Sequence, residues 1–194
     1  MGRRVESLPL RFRHGAPVGF ALALIGFGVL LTLREAGVIA EDGVVTKRIP
    51  LDGASEAQVS IVHGGGELRL GEHHDPYNLV EGTFDGGVRE QVDREGDRLI
   101  ARLEPARGRR SRRWDVRLKP GIPLDLVVQG GAQSSTLDLS RLLVRSLVLE
   151  TGASSTSLTL PERGRTNARI RAGGASVDVR VPRAWPQGFA WPAG

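Results

Sequence analysis

The densest group of side chains able to do chemistry in this 194-residue chain is His73-His74-Asp75, with His63 ten residues earlier. Imidazole and carboxylate groups are zinc ligands, but adjacent side chains of an extended segment point to opposite faces, so only a bent loop could bring both histidines to one ion. The spacing therefore favours a solvated loop over a metal centre. Asp125, Asp138 and Asp178 are the carboxylates to weigh for polysaccharide chemistry. Glycoside hydrolysis needs two carboxyl groups about 5–10 Å apart in a cleft, one with a raised pKa. Each of these aspartates alternates with apolar neighbours, which places it on the wet face of a strand. The chain carries no H-E-x-x-H, P-loop, G-x-S-x-G or post-strand G-x-G-x-x-G motif. It also has no Cys, which excludes a disulfide framework, a thiolate zinc site and a Cys nucleophile. The expectation is a protein that is not an enzyme, with no catalytic residue, no cofactor-binding residue and no metal.

Three other clusters are candidates for binding. Arg107, Arg109, Arg110, Arg112 and Arg113 fall within seven positions beside Gly108 and Ser111, between two strand patterns. Such a loop could meet anionic lipid headgroups or an anionic wall polymer, at about 1 kcal/mol per residue near a charged surface. The plainer reading is a flexible, solvated hairpin. Ser134-Ser135-Thr136 and Ser154-Ser155-Thr156-Ser157 could present hydroxyls to a sugar, or simply cap turns and align small side chains. The terminal Trp185-Pro186-Gln187-Gly188-Phe189-Ala190-Trp191-Pro192 reads either as an aromatic cap over the end of a fold or as a patch for a partner.

The elements that position these clusters begin with an apolar run. Residues 16–33, APVGFALALIGFGVLLTL, hold 18 positions without a charge, and as a helix would rise about 27 Å, enough to cross a bilayer. Arg3, Arg4, Arg11 and Arg13 precede it against Glu6 alone, so the positive-inside rule keeps the tail at 1–15 in the cytoplasm and exports the chain beyond Arg34. A cleaved secretory signal ending at Ala40 and a buried core helix are the competing readings. The net charge of +5 then divides into +3 on the tail and +2 on residues 41–194, with Arg34 and Glu35 cancelling. Most of the basic excess is a topology signal, and a nucleic-acid partner is not expected.

Beyond Thr46 apolar residues alternate between Gly, Pro, Asp and Ser turns, as in Leu99/Ala101/Leu103, Trp114/Val116/Leu118 and Val177/Val179/Val181. The chain then repeats. Residues 124–139 shifted by 21 fall on 145–160 with 7 of 16 identities, including Leu126 on Leu147, Gly131 on Gly152 and Leu137 on Leu158. A further shift of 21 brings Gly152 onto Gly173, Leu149 onto Ile170 and Leu158 onto Val179. Gly131, Gly152 and Gly173 thus mark a corner in successive coils of a β-solenoid, whose units bury their apolar faces only by stacking. Gly64-Gly65-Gly66 followed by Glu67-Leu68-Arg69-Leu70 has the same character. Candidate strands near 78–84, 88–93 and 99–103 read as irregular early coils or an added hairpin.

The stretch from Trp114 through GIPLDLVVQGGAQSSTLDLS to TGASSTSLTLP, preceded by LDGASEAQVSIVHGGGELRL, resembles the toastrack domain of LiaF-like cell-envelope stress proteins. The segment ALALIGFGVLLTLREAGVI is similar to the transmembrane region of LiaI and LiaF proteins, although LiaF-like proteins usually carry several membrane helices and one is found here. The expected organisation is a basic cytoplasmic tail (1–15), a single transmembrane helix and exit (16–40), a linker or first strand (41–55), an all-β, right-handed β-solenoid-like toastrack domain (56–184) and an aromatic tail (185–194). The resemblance implies a single-pass bacterial membrane protein that regulates or senses envelope stress through contacts with a membrane histidine kinase or another envelope protein. An adhesin-like module that holds wall polymer or lipid is the alternative.

Overall fold

The computed structural model describes residues 43–182. The expected membrane segment (16–40) and the aromatic tail (185–194) lie outside them. The chain divides into two compact units, Met1–Ala36 and Gly37–Gly194, and the described residues belong to the second. They hold eleven strands and no helix: β1 (Val44–Pro50), β2 (Glu56–Glu72), β3 (Asn78–Asp85), β4 (Val88–Glu95), β5 (Arg98–Pro105), β6 (Arg113–Leu118), β7 (Pro123–Asp138), β8 (Leu143–Thr151), β9 (Ser155–Thr159), β10 (Asn167–Ala172) and β11 (Ser176–Arg180).

Two of these strands are unusually long, and each passes a glycine corner midway, at residues 64–66 in β2 and 130–131 in β7. Each long strand therefore supplies both halves of one coil. The later coils divide the same path into two strands, β8 with β9 and β10 with β11. All pairing between these coils is parallel and in register. Because side chains alternate along a strand, in-register stacking lines up like with like in columns. Ala101, Val59, Leu126, Leu147 and Ala168 form one inward column on the first halves, and Leu103, Ile61, Val128, Leu149 and Ile170 another. On the second halves Val116, Leu70, Leu137, Leu158 and Val179 stack likewise. The columns of both halves join one hydrophobic core.

The 21-residue offset read from the repeats is the actual register from Asp125↔Ser146 onward and again from β8 to β10. At the start of β8 it slips: Leu124 pairs with Val144, and Arg145 is the extra residue of a bulge. Trp114, Val116, Leu118, Leu99, Ala101 and Leu103 are buried as their alternation requires, whereas Val181 lies beyond β11 and is exposed.

The order of the coils does not follow the chain. β7 lies on one side of β2, as Val59↔Leu126 and Leu70↔Leu137, an offset of 67 residues. On the other side of β2 lie β5 along its first half and β6 along its second. The excursion at 73–122 is therefore both things the sequence suggested. It supplies one more coil, β5 with β6, and it adds antiparallel strands outside that coil, β4 on β5 and β3 on β6; β1, from before β2, pairs in turn with β3. β2, first of the coils in the chain, ends up second in the stack.

Candidate interaction surface

The arginine cluster occupies the corner between β5 and β6. From Glu56 to Glu67 β2 takes eleven steps, while the partners of those residues, Arg98 and Arg113, are fifteen steps apart. This corner therefore carries four extra residues and projects from the ridge of glycine corners beside it. It is not a free hairpin, because its backbone is seated on neighbouring glycines. A Cβ at Gly66 would fall 2.0 Å from the carbonyl oxygen of Arg112, and one at Gly86 2.2 Å from that of Arg110. Gly66 also has φ +98°, so no other residue fits there without strain. The Glu67 N–H donates to the Arg112 carbonyl (2.6 Å), the Arg112 N–H to the Asp85 carbonyl (3.2 Å), and the Ser111 hydroxyl to the Gly65 carbonyl (3.3 Å).

The five guanidinium groups separate into two kinds. Arg112 pairs with Asp85 (2.8 Å) and Arg113 with Glu67 (2.9 Å), so both are spent inside the fold. Arg107, Arg109 and Arg110 are exposed and form no ion pair among the described residues. The neighbouring carboxylates are already engaged. Hydrogen bonds from Arg69 and then Arg113 hold Glu67 below the usual carboxylate range, and those from Arg102 and Arg89 do the same for Glu104.

Gly131, Gly152 and Gly173 come together as a ladder that, with Gly64, floors a shallow groove of about 690 Å³. A sharp bend does not explain them, since none has a positive φ. At Gly131 the cause is close approach: an added Cβ would sit 2.5 Å from the Gly64 carbonyl oxygen. Gly152 and Gly173 have ordinary room, 3.4 and 4.0 Å to the nearest backbone atom. Beside this floor runs a polar ladder of the same 21-residue spacing. Gln129 donates to Glu150 (2.9 Å), and Arg171 donates to the other oxygen of Glu150 (2.6 Å). The Gln129 bond, followed by that of Arg171, lowers the Glu150 pKa.

The hydroxyl clusters are split by strand alternation. Ser134, Ser155 and Ser176 are exposed and in register, whereas Ser135 and Thr156 are buried in the column Trp114–Leu68–Ser135–Thr156–Val177. Ser154 belongs to a turn, in hydrogen-bonding contact with Thr151. Trp114 itself is packed edge-on by Phe84 and His63, at centroid distances of 5.0 and 5.1 Å.

The histidine cluster forms a turn, and His73 within it is buried rather than solvated. Its Nδ1 accepts the Asp75 N–H (3.1 Å), which puts the ring proton on Nε2, where it donates to the Leu79 carbonyl (3.4 Å). Asp75 accepts the N–H groups of Tyr77 (2.7 Å) and Asn78 (3.1 Å), the first of which chiefly depresses its pKa. His63 lies at the glycine corner of β2, one position before Gly64. Among the described residues no group of three or more His, Asp or Glu side chains could hold a metal ion.

The three weighed aspartates are not brought together. Asp125 bonds Arg98 (2.7 Å) and Arg145 (3.2 Å), and Arg145 also reaches Glu56 (2.7 Å), which ties four coils, those of β5, β2, β7 and β8, on one outer face. Asp138 accepts the N–H of Ser140 and closes a turn, and Asp178 faces solvent near Arg180. Alternation alone gave no sign of a second, polar recess of about 350 Å³ lined by Arg69, Arg117, Arg141, Glu72 and Asp138. It is assembled by offsets of 46 and 67 residues that no local pattern announces. Its arginines are paired, Arg69 with Glu67, Arg117 with Asp115 and Arg141 with Glu72.

A stack of parallel coils with in-register columns, broadened at one end by antiparallel strands, defines the class: a solenoid-like all-β module of the toastrack type. The family described as the N-terminal domain of toast_rack, DUF2154, matches residues 39–180, most of the chain. The chain belongs to that family. No curated protein matches it. Among solved structures it is similar to a candidate cell adhesion protein from Clostridium sporogenes, with a TM-score of 0.58 at 13% identity, over 72% of this chain and 99% of that one. At that identity the likeness is one of fold.

Proposed function

We propose that this chain is a non-enzymatic interaction module of the bacterial cell envelope, held to the membrane by residues 16–40, with its β-domain outside the cytoplasm. It regulates or senses envelope stress through protein–protein contacts, as the resemblance to LiaF-like proteins implies, with a membrane histidine kinase or another envelope protein as partner. The observation that carries this reading is the character of the outer surface. Its charged side chains are arranged in ladders across rigid coils, and the carboxylates that could have formed a cleft are engaged in ion pairs and turn caps instead. A rigid, broad, polar face suits recognition of another macromolecule. Membership of the toast_rack family is in keeping with this.

The test is deletion of the chain followed by exposure of cells to wall-active antibiotics, with envelope-stress transcription as the readout. An unchanged response removes the regulatory claim. Topology is tested separately: a reporter fused after Gly194 should be active only outside the cytoplasm.

The exposed, in-register column Ser134–Ser155–Ser176 favours a second reading, an adhesin-like scaffold that holds wall polymer. The adhesion description of the Clostridium sporogenes protein accords with it. This reading predicts that the purified unit Gly37–Gly194 is retained on wall fractions and released when the three serines are changed to Leu.

A further inference from the structure

We propose that the corner bearing Arg107, Arg109 and Arg110 is a docking surface for the anionic headgroups of a phospholipid membrane. The proposal rests on the reading of residues 16–40 as a membrane anchor.

Three observations converge on it. The first is charge. These three guanidinium groups have no carboxylate partner among the described residues, while Asp85, Glu67 and Glu104 around them are held by Arg112, by Arg69 and Arg113, and by Arg89 and Arg102. The second is rigidity. The backbone of the corner is wedged against Gly66 and Gly86 and hydrogen-bonded to β2 and to the end of β3. The three cations are therefore presented on a preformed base, which lowers the ordering cost of binding.

The third is position. A Cβ at Gly43 would lie 3.0 Å from Nη1 of Arg109, so this corner sits where the chain enters the described domain. Only nine residues, 34–42, separate Gly43 from the apolar run, and nine residues span at most about 30 Å. An anchored chain cannot carry this corner farther than that from the bilayer surface. A leash of this length lets the patch close to within the about 8 Å over which headgroup charge is felt at physiological salt, and it keeps the patch near the bilayer, which favours lipid over wall polymer. Arg163, Arg165 and Arg169 also form no ion pair among the described residues. They lie around the opposite end of the stack with Glu162 alongside, far in register from Gly43, and serve as the internal control.

The test is co-sedimentation of the purified unit Gly37–Gly194, which has a core of its own, with vesicles of phosphatidylcholine alone or with about one third phosphatidylglycerol. Binding is expected to the anionic vesicles only, and to weaken with added salt. Arg107→Gln, Arg109→Gln and Arg110→Gln together should weaken it roughly 100-fold, about fivefold for each cation. The triple change Arg163→Gln, Arg165→Gln and Arg169→Gln should leave it within about twofold. A Glu41→Gln, Asp42→Asn variant, which removes the acids preceding Gly43, should bind more tightly.

Equal binding to neutral vesicles, or loss in the control variant instead, would overturn the proposal. So would binding that appears only after Glu41 and Asp42 are changed, because the corner would then be neutralised by the chain itself. Retention on anionic wall polymer with none on vesicles overturns it in favour of that polymer. Because the tested unit lacks the apolar run, such failures leave the anchor reading standing, and a cytoplasmic reporter would remove the anchor while leaving the vesicle result intact.

Discussion

The two ends of the coil stack are built on opposite principles. At one end the coil of β5 and β6 is sheathed by antiparallel strands, β4 on one half and β3 then β1 on the other. β4 reads VREQVDRE and exposes nearly every residue, so the outermost edge is charged and blunted against further pairing. Leu103 and Trp114 beneath this sheath, and Phe84 on the sheathing strand β3, are fully buried. At the other end β10 pairs only with β8 and β11 only with β9 among the described residues. Their inward residues Ala168, Ile170, Val177 and Val179 are only partly buried. The same columns of apolar side chains thus end in a closed core on one side and at a half-covered rung on the other. A parallel coil leaves its outer edge unpaired unless something covers it, and at one end the excursion supplies antiparallel strands that do.

The largest test of this contrast is a pair of core truncations. Trp114→Ala should cost about 3–5 kcal/mol, because the ring is enclosed, while Ile170→Ala should cost roughly 1 kcal/mol or less. Urea denaturation of Gly37–Gly194 measures both. Equal costs would mean that the β10 rung is as well covered as the sheathed end.

A second pair separates glycines that are sterically required from those that are not. Gly66→Ala meets the Arg112 backbone and a positive φ, and should cost about 1–3 kcal/mol or prevent the corner from seating. Gly173→Ala has open room and should stay within about 0.5 kcal/mol. Hydrogen exchange sharpens the comparison strand by strand. Amides of β2 and β7 should exchange only with global unfolding, and those of β10 and β11 at least about tenfold faster through local opening.

The smallest effect is electrostatic. Glu67, Asp75, Glu104 and Glu150 all have pKa values lowered in the fold, chiefly by hydrogen bonds from Arg69, the Tyr77 N–H, Arg102 and Gln129 respectively. A depressed carboxylate contributes stability that is complete above its unfolded-state pKa, about 4, and is lost as pH falls through the native value. The contribution of these four groups should therefore be flat above about pH 5 and decline in more acid solution. Glu67→Gln with Glu104→Gln should flatten part of that decline by affecting the sheathed end, and Glu150→Gln should do so by affecting the other. The midpoint of thermal unfolding across pH reads each contribution, each of modest worth: Glu67, Glu104 and Glu150 have surface arginine partners, and Asp75 is held by backbone N–H groups.

Parts of this organisation were legible in the residues and parts were not. The hydroxyl runs could be sorted once strand alternation was known, since Ser134 and Ser155 differ in face from Ser135 and Thr156 by a single step. The reason for the glycine at 131 could not, because it depends on how near Gly64 comes to Gly131 across neighbouring coils. The arginine run looked uniform in sequence. Its division into spent and unspent cations depends on Asp85 and Glu67, which lie 27 and 46 residues away from Arg112 and Arg113. His73 was equally opaque, since its burial comes from the turn that Asp75 nucleates and not from its own neighbours.

By itself the sequence determined the 21-residue register, because a period-2 pattern of apolar side chains can bury its columns only when successive coils align like with like. It also determined the all-β class, for the same alternation fills no helical face. Only the tertiary structure decided that β2 lies between β6 and β7 and that the stack is sheathed at one end. Those pairings join residues up to 67 positions apart and of much the same apolar character, so no local pattern distinguishes one neighbour from another; the choice falls to the packing of the whole core around Trp114.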